Sequence, residues 1–526
     1  MAARRTDDRR GFLLKLLSAR SKPLRPTPEQ HFRTDHLKAD LGARAARGGA
    51  VMVGAQALRF LITMGSTVVL ARLLTPEDYG LVGMVLVVTG FVAFFKHMGL
   101  SVATIQRAEI NAEQVSTLFW VNVSVSVALT CATAALAPAV AWFYGRPQLV
   151  WITLAFAAGF TVSGLGVQHE ALLKRQMRFK ALAAIEIGAM LSGIAVAVFA
   201  ARAGAGYWAL VANQLVFGTL YVAGVWAACG WRPGPPVRYA GVRPMLASGG
   251  DITGYGVLNY FARNLDNLLI GRVWGAAQLG LYARAYQLLL LPLDQTTVPL
   301  DGVALPTLSR LSDAPERYRA AYLRILEKVA MLTMPGVALM IATSDWLVRL
   351  VLGPQWGETA TIFALLGVAG LFEPVANTMG WLLISQGRTR DMLRWGFAHA
   401  AVMILSFAVG LPWGAVGVAA SYSAFGVLVH KPLLFWYVGR RGPVSAGDIY
   451  KAIAPSACAA AGVLGAVYLF RRLAGVEHGV VGLAVCGALA AAVALLIFVA
   501  LPKGRAALQD VKGLLPLLTR RGESVA

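Results

Sequence analysis

Polar residues recur at helical spacing within one apolar stretch of membrane length, residues 249–272 (GGDITGYGVLNYFARNLDNLLIGR). These residues are Asp251, Tyr255, Asn259, Arg263, Asp266 and Asn267. Positions three or four apart lie on one face of a helix. A charged side chain at mid-bilayer costs roughly 2.5–3.5 kcal/mol on insertion scales, so we expect this stripe to face other helices or a wet cavity rather than lipid.

Other apolar segments also carry cations. The four candidates for a buried cationic site are Arg59, Lys96, Arg263 and Arg284, and Arg59 shares a helix face with Gln56 and Thr63. Each has a simpler alternative. Lys96 and Arg284 are near segment ends and could extend their charges to an interface. Asp266 and Asn267 lie three and four residues after Arg263 and could neutralise it.

Carboxylates within apolar segments are the candidates for coupling transport to an ion. They are Asp251, Asp266, Asp294, Asp301 and Glu373. A desolvated carboxylate can carry a proton, and one among other oxygen ligands can hold Na+. The sequence leaves both ions open, and for each residue a local salt bridge or a helix-end hydrogen bond is the alternative. No other cofactor and no resident metal are expected.

The elements that must position these side chains are transmembrane helices. The chain has 57% hydrophobic and only 14% charged residues, with a mean hydropathy of +0.62. Apolar runs of about 20 residues predict an all-α polytopic membrane protein with about 14 spans. The spans are 50–70, 80–99, 115–140, 148–168, 181–203, 206–228, 249–271, 281–304, 325–345, 357–383, 391–411, 414–437, 450–470 and 479–501.

The loop charges predict the orientation of these spans. With the N-terminus inside, 35 Lys and Arg residues fall on the inner side and eight on the outer side. This bias places both termini in the cytoplasm. It also accounts for the net charge of +22 without nucleic-acid binding. The basic tail, residues 1–49, is either an amphipathic helix on anionic lipid or disordered.

Two classes of protein are disfavoured by the loops between the spans. No outer loop is long enough for an extracytoplasmic catalytic domain, and no inner loop is long enough for a nucleotide-binding domain. The GxxxxGK[ST] motif is also missing. A polymerase, a glycosyltransferase or an ATP-driven pump is therefore disfavoured, and a secondary transporter is favoured over an enzyme.

An internal repeat divides the chain. Residues 71–81 (ARLLTPEDYGL) and 271–281 (GRVWGAAQLGL) are 200 positions apart and share an arginine, a glycine and a leucine. Six spans separate them, so the repeats run parallel, with a site expected at their interface. The predicted organisation is a tail (1–49), a six-helix lobe (50–228), a linker (229–248), a second six-helix lobe (249–437), two further helices (450–501) and a C-terminal tail (502–526).

Four stretches resemble bacterial polysaccharide flippases. They are VLARLLTPEDYGLVGM (69–84), ALLKRQMRFK (171–180), NLDNLLIGRVWGAAQLGLY (264–282) and LGPQWGETATIF (352–363). The chain is most similar to the Wzx-type colanic-acid exporter branch of the multidrug/oligosaccharidyl-lipid/polysaccharide exporter superfamily. The resemblance covers roughly residues 50–440. It implies two six-helix lobes around a central cavity that opens alternately to each side.

The resemblance also implies a substrate. Such flippases move undecaprenyl-diphosphate-linked oligosaccharides across the bacterial inner membrane for exopolysaccharide, capsule or O-antigen synthesis. A diphosphate needs fixed positive charge in hydrocarbon, and the planar fork of arginine suits it. We therefore expect Arg59, Arg263, Lys96 and Arg284 to bind the diphosphate and Gln56, Tyr255, Asn259 and Asn267 to line the cavity. Membrane lipids, a polymerase and export machinery are the expected partners. The alternative is a cation-coupled multidrug exporter of the same superfamily.

Overall fold

Helices account for nearly all of the described structure. A computed structural model describes residues 41–96, 104, 110–237, 250–474 and 479–510. Within these ranges the side chains of residues 41–51, 93–96, 250–259, 297–299 and 301 are not described. No strand occurs in these ranges, and the expectation of an all-α membrane fold is confirmed.

Sixteen α-helices, numbered here in chain order, build the described part of the chain. They are α1 (Leu41–Leu73), α2 (Pro76–Lys96), α3 (Ala112–Tyr144), α4 (Leu149–Arg175), α5 (Phe179–Arg202), α6 (Trp208–Cys229), α7 (Gly250–Arg310), α8 (Pro315–Ala342), α9 (Ser344–Val351), α10 (Gly357–Gly370), α11 (Glu373–Ser385), α12 (Thr389–Gly410), α13 (Gly414–Phe425), α14 (Lys431–Gly439), α15 (Ala446–Ala474) and α16 (Val480–Ala500).

The predicted spans fall on these helices. Ten helical segments among the described residues are long and apolar enough to cross a membrane, whereas the full number of fourteen stays a prediction. The predicted spans 249–271 and 281–304 are the two arms of α7. These arms, residues 250–274 and 276–310, meet at Gly275, whose φ of 84° lies in a region that favours glycine.

Two spans of the second half are interrupted where hydropathy alone predicts continuous helices. The segment 357–383 divides into α10 and α11, and Glu373 is the first residue of α11, directly before Pro374. The segment 414–437 divides into α13 and α14 around a π-turn, Gly426–His430. Broken helices at membrane depth expose backbone groups and are tolerated where protein or a wet cavity surrounds them. Both interruptions border one cavity, described below.

The helices pack as two lobes. In the first lobe (α1–α6), α3 packs on α4, α5 on α6, α4 on α6, and α1 on α5. In the second lobe, the arms of α7 pack with α10–α13, and α8 packs on α10 and α11. Outside the two lobes, α15 lies along α8 and α16 along α15. The predicted boundaries within 229–248 and at both tails fall partly outside the described residues, and they remain predictions.

The two lobes meet at matched glycines. A Cβ added to Gly80 on α2 would lie 1.7 Å from the carbonyl oxygen of Ala276. A Cβ added to Gly280 on the second arm of α7 would lie 1.8 Å from the carbonyl oxygen of Pro76. Gly80 and Gly280 are related by the offset of 200, and so are Pro76 and Ala276. The contact is therefore reciprocal, as a two-fold relation between parallel repeats requires.

Arg72 and Arg272, which are also 200 positions apart, each contact the opposite lobe. Arg72 donates to the carbonyl of Leu350 at 2.8 Å, and Leu350 lies in α9 of the opposite lobe. Arg272 lies over the ring of Phe143, at the end of the third helix of the first lobe. Trp356 also donates its indole N–H to the carbonyl of Ala71 at 2.9 Å. This end of the bundle, called the predicted outer end from the loop charges, joins the lobes through backbone and ring contacts.

Candidate functional site: a charged cavity in each lobe

The first-lobe cavity is built around Arg59. Its guanidinium donates to both carboxylate oxygens of Glu186 on α5, at 2.6 and 2.7 Å, and to the side-chain oxygen of Gln56 at 2.7 Å. The Nε atom of Arg59 is buried and has no hydrogen-bond partner among the described residues. The cavity beside it has a volume of about 450 Å³ and is bordered by α1, α2, α4, α5, α6 and the second arm of α7. The ion pair of Arg59 and Glu186 is therefore held by hydrogen bonds within the protein and borders the cavity.

Arg284 enters the same cavity from the second lobe. Its guanidinium lies 3.7 Å from the ring centroid of Tyr79 and donates to the side-chain oxygen of Gln287 at 2.6 Å. Both Arg59 and Arg284 line this cavity, whereas Glu186 is the only carboxylate among its lining residues. The described lining therefore holds one more cation than carboxylates. The face of an aromatic ring attracts a cation, so the ring of Tyr79 stabilises the charged guanidinium of Arg284 inside the cavity.

A second cavity adjoins the first within the same lobe. It has a volume of about 540 Å³, and Leu86, Phe156, Gln214 and Phe217 line both cavities. Its walls are mostly apolar, from α2, α4 and α6. Lys174 and Glu170 form an ion pair at 2.6 Å near its end, on the side of the predicted inner loops. The first lobe thus presents a long wall that is apolar in part and cationic in part.

The second-lobe cavity is built around Glu373. One carboxylate oxygen of Glu373 accepts a hydrogen bond from Nζ of Lys431 at 2.7 Å, and the other lies 3.7 Å from a guanidinium nitrogen of Arg263. Lys431 is only 5% exposed, whereas half of the Arg263 side chain is exposed. The enclosed volume is about 150 Å³. One carboxylate is therefore shared by a buried ammonium and an accessible guanidinium.

The sequence leaves open whether Asp266 neutralises Arg263, and the hydrogen bonds of Asp266 bear on this question. Asp266 is buried; one of its oxygens accepts from the hydroxyl of Tyr282 at 2.8 Å and the other from the backbone N–H of Asn267 at 2.7 Å. Both oxygens thus have partners other than arginine, and the carboxylate that pairs with Arg263 is Glu373. A buried carboxylate needs such donors.

Two histidines complete the second-lobe cavity. Nδ1 of His399 on α12 lies 2.7 Å from Nε2 of His430 in the π-turn. His430 is 6% exposed, and its ring lies 5.3 Å from that of Trp395. Among the described residues no three His, Cys, Asp or Glu side chains are grouped as a metal site would require.

Side-chain bonds also join the two lobes away from the predicted outer end. Gln56 donates to the side-chain oxygen of Gln295 at 3.1 Å, and the hydroxyl of Tyr260 donates to the carbonyl of Val87 at 2.6 Å. Gln56 thus links Arg59 to the second arm of α7. The link is a hydrogen bond between neutral amides, which contributes about 0.5–1.5 kcal/mol net.

The remaining predicted residues are not among the residues that line the two charged cavities, or their side chains are not described. Asp294 is exposed on the second arm of α7, and the side-chain oxygen of Asn267 is buried without a hydrogen-bond partner among described residues. The predicted residues whose side chains are not described are Lys96, Asp251, Tyr255, Asn259 and Asp301. The roles assigned to all of these residues remain predictions.

Sequence reasoning missed four residues of the two cavities: Glu186, Lys431, His399 and His430. A signal was available for two of them, because Glu186 and Lys431 are charged residues inside predicted spans. The pairing of the two histidines could not be read from the sequence, since 31 positions separate them.

Comparisons with known proteins agree with this architecture. The family model described as "Polysaccharide biosynthesis protein" matches residues 69–361. The chain is 26% identical over 363 residues to the lipopolysaccharide biosynthesis protein WzxC of Escherichia coli, covering 67% of this chain and 73% of that protein. It is also 26% identical over 379 residues to the teichuronic acid biosynthesis protein TuaB of Bacillus subtilis, covering 66% and 77%.

Two solved structures share the fold. The lipid II flippase MurJ, in an inward closed conformation, superposes with a TM-score of 0.64 at 12% identity, over 84% of this chain and 96% of that chain. A multidrug resistance MATE family transporter of the MOP superfamily, in an inward-facing conformation, gives 0.55 at 13% identity, over 74% and 95%. At these identities the likeness establishes the fold alone.

Proposed function

The chain belongs to the polysaccharide biosynthesis protein family of membrane transporters, and we propose that it flips an undecaprenyl-diphosphate-linked oligosaccharide repeat unit across the bacterial inner membrane. It is a multi-pass transporter rather than an enzyme. The repeat unit would serve exopolysaccharide, capsule or O-antigen assembly. In this proposal both termini are cytoplasmic, and a polymerase receives the unit at the outer face.

The observation that carries the proposal is the excess of cations over carboxylates in the first-lobe cavity, beside a second-lobe cavity whose two cations are balanced by Glu373 and Asp266. Arg59 and Arg284 outnumber Glu186 in the first lobe, and Lys431 and Arg263 flank Glu373 in the second. A diphosphate that joins a lipid to a sugar carries two negative charges. Guanidinium groups bind phosphate oxygens through paired, charge-assisted hydrogen bonds. We assign the binding of the diphosphate to Arg59 and Arg284, which line the first-lobe cavity, and to Arg263, which lines the second-lobe cavity.

The movement follows from the contacts between the lobes. The predicted outer end is held by the reciprocal glycine contact and by Arg72, whereas the described links away from it are the Gln56–Gln295 and Tyr260–Val87 hydrogen bonds and the packing of Phe91 on Tyr260 and Phe261. Alternating access would exchange these two sets of contacts. The free energy for the exchange would come from H+ or Na+, with Asp266, Asp294 and Glu373 as the described carboxylate candidates.

Export of polymer in a deletion strain tests the proposal. Arg59→Ala and Arg263→Ala should each lower exported polymer at least tenfold and cause the lipid-linked repeat unit to accumulate, while the amount of membrane protein stays unchanged. The control is Arg202→Ala, an exposed arginine at the end of α5 outside both cavities. Wild-type export by both cavity variants would refute the assignment of the diphosphate.

A cation-coupled multidrug exporter is the second candidate, because the MATE transporter shares the fold. Organic cations would be repelled by the excess of cations in the first-lobe cavity, which argues against it. Drug resistance in an efflux-deficient host separates the two functions. A flippase should give no protection, and protection that disappears in Glu186→Gln would favour the exporter.

A further inference from the structure

A pair of imidazoles in the second lobe is not used by the proposed diphosphate site. Two ring nitrogens at 2.7 Å form a hydrogen bond only if one carries a proton and the other presents a lone pair. The neutral pair therefore already holds one proton between His399 and His430. A second proton converts it to an imidazolium that donates to an imidazole, which is a charge-assisted and stronger bond. The geometry is suited to take up one proton.

The backbone builds this contact. His430 is the last residue of the π-turn that interrupts the span between α13 and α14, and it is 6% exposed. π-turns inside helices are rare and frequently occur at functional sites. The next residue, Lys431, is bonded to Glu373, so the same turn places an imidazole and an ammonium side by side in one cavity.

The charges around the pair are fixed or already engaged. The titratable and charged groups that line the same cavity are Arg263, Asp266 and Tyr286 from α7, Glu373 from α11, Tyr422 from α13 and Lys431 from α14. Glu373 is shared by two cations, and Asp266 is held by Tyr282 and the backbone of Asn267. An imidazole in water titrates at about pH 6.5, whereas the ordinary Lys, Arg and Tyr side chains titrate above about pH 10.

A metal ion is a poor explanation for the pair. Structural and catalytic zinc sites need at least three protein ligands. Across the described ranges no third His, Cys, Asp or Glu joins these two residues to form such a group. The two ring nitrogens also bond each other directly, so neither is held apart to admit an ion.

We propose that His399 and His430 are a shared proton-binding site, and that its protonation adds a positive charge beside Lys431 and tightens the binding of an anionic group in the second-lobe cavity. Linkage makes the effect reciprocal, so the bound anion also tightens proton binding by the same factor. The identity of the anion as a lipid-linked diphosphate rests on the proposed function. The proton site itself does not.

Ring nitrogen NMR on the full-length protein in lipid nanodiscs tests the proton site directly. The chain has seven histidines, so selective ¹⁵N labelling gives a small set of signals that His399→Gln and His430→Gln assign. In the wild type, both rings should change together in one step as the pH falls from 7 to 3.5. In each single variant, the midpoint of the remaining ring should move by at least one pH unit. Independent titration, or no titration in this range, would overturn the proposal.

Anion binding tests the coupling. The probe is a short-chain polyprenyl diphosphate glycoside, whose diphosphate diester keeps two charges throughout this pH range. Its affinity for the wild type should increase about tenfold from pH 7 to pH 4. The double variant His399→Gln/His430→Gln can retain an amide–amide hydrogen bond but cannot titrate, and its affinity should be constant with pH.

The control is His169→Gln, a buried histidine of the first lobe that stacks on Trp226 at 4.1 Å. This variant should keep the pH dependence of the wild type. An affinity of the wild type that does not change with pH would overturn the coupling. If the probe does not bind at all while the two rings titrate together, the proposed function fails and the proton site remains.

Discussion

The two lobes neutralise an arginine of the opening helix in different ways. Arg59 in the first lobe has its own carboxylate, Glu186, with two close hydrogen bonds. Arg263 in the second lobe shares Glu373 with Lys431, which has the closer contact. The arginines lie on the opening helices of two repeats, but Glu186 lies on the fifth helix of its lobe and Glu373 at the break between α10 and α11. The repeats therefore share a scaffold, whereas the carboxylates that pair with their arginines lie on different elements.

The two ion pairs also differ in how far their side chains are exposed, and exposure decides how much an ion pair contributes to stability. The side chains of Arg59 and Glu186 are 27% and 30% exposed, so their ion pair is partly solvated. The side chains of Lys431 and Glu373 are 7% and 18% exposed, so their ion pair is largely desolvated. Removing one partner of a buried pair strands the other charge, whereas an accessible pair contributes little. We expect the second-lobe pair to control stability and the first-lobe pair to control substrate binding.

The largest expected effect is that of Lys431→Ala. The substitution leaves Glu373 with only the 3.7 Å contact to Arg263, and breaking a buried ion pair costs about 3–5 kcal/mol. The thermal midpoint of the detergent-solubilised protein should fall clearly below that of the wild type. The double variant Lys431→Ala/Glu373→Ala should recover part of this loss. A wild-type midpoint for Lys431→Ala would show that the pair is not buried as described.

Neutralising the two glutamates compares the lobes directly. Glu373→Gln leaves two cations facing a neutral amide and should lower the free energy of unfolding by about 2 kcal/mol. Glu186→Gln keeps an acceptor for Arg59 in a partly solvated site and should cost about 1 kcal/mol or less. Equal losses in matched melting experiments would remove the distinction between the lobes.

Arginine-to-lysine variants test the role of guanidinium geometry. Arg59→Lys loses the simultaneous contacts with both oxygens of Glu186 and with Gln56, and a lost hydrogen bond to a charged group costs about 1.5–3 kcal/mol. Polymer export should fall about tenfold, corresponding to roughly 1.4 kcal/mol. Arg263→Lys keeps its charge near Glu373 and should export within about threefold of the wild type. A larger loss in Arg263→Lys would indicate that the second lobe provides the main phosphate contact.

The smallest expected effect is that of Gln56→Ala. It removes the described amide link to Gln295 and one acceptor of Arg59, both exposed, and should cost about 0.5–1 kcal/mol. Cysteines placed at positions 56 and 295 would report the separation of the lobes by cross-linking yield. A collapse of the fold in Gln56→Ala would mean that this contact, rather than the glycine crossing, holds the lobes together.

The fold was predictable because its signals are local. Apolar runs of membrane length mark the helices, and the two stretches around Gly80 and Gly280 mark the repeat. The two broken spans were not predictable from hydropathy, because a π-turn and a two-residue break remain apolar. Pro374 and Pro432 lie next to these breaks, and a proline within an apolar span is the sequence signal for an interrupted helix.

The candidate site was predictable only in part. The spacing of Arg263 and Asp266 predicts a local pair, yet Tyr282, sixteen positions away, supplies the hydroxyl that Asp266 accepts. Glu186 lies 127 positions from Arg59 and Lys431 lies 58 from Glu373. Such partners are selected by packing between helices, and spacing along a single helix carries no information about them.

The reciprocal contact of Gly80 and Gly280 makes the two halves depend on each other at this point. Along residues 71–81 and 271–281 most positions now differ between the repeats, but both glycines remain. Each glycine lies under the first carbonyl of the other repeat's helix, so a side chain at either position separates the same two helices. Neither repeat can compensate for such a change in the other. A side chain at either glycine is therefore expected to disturb the same contact for both repeats at once.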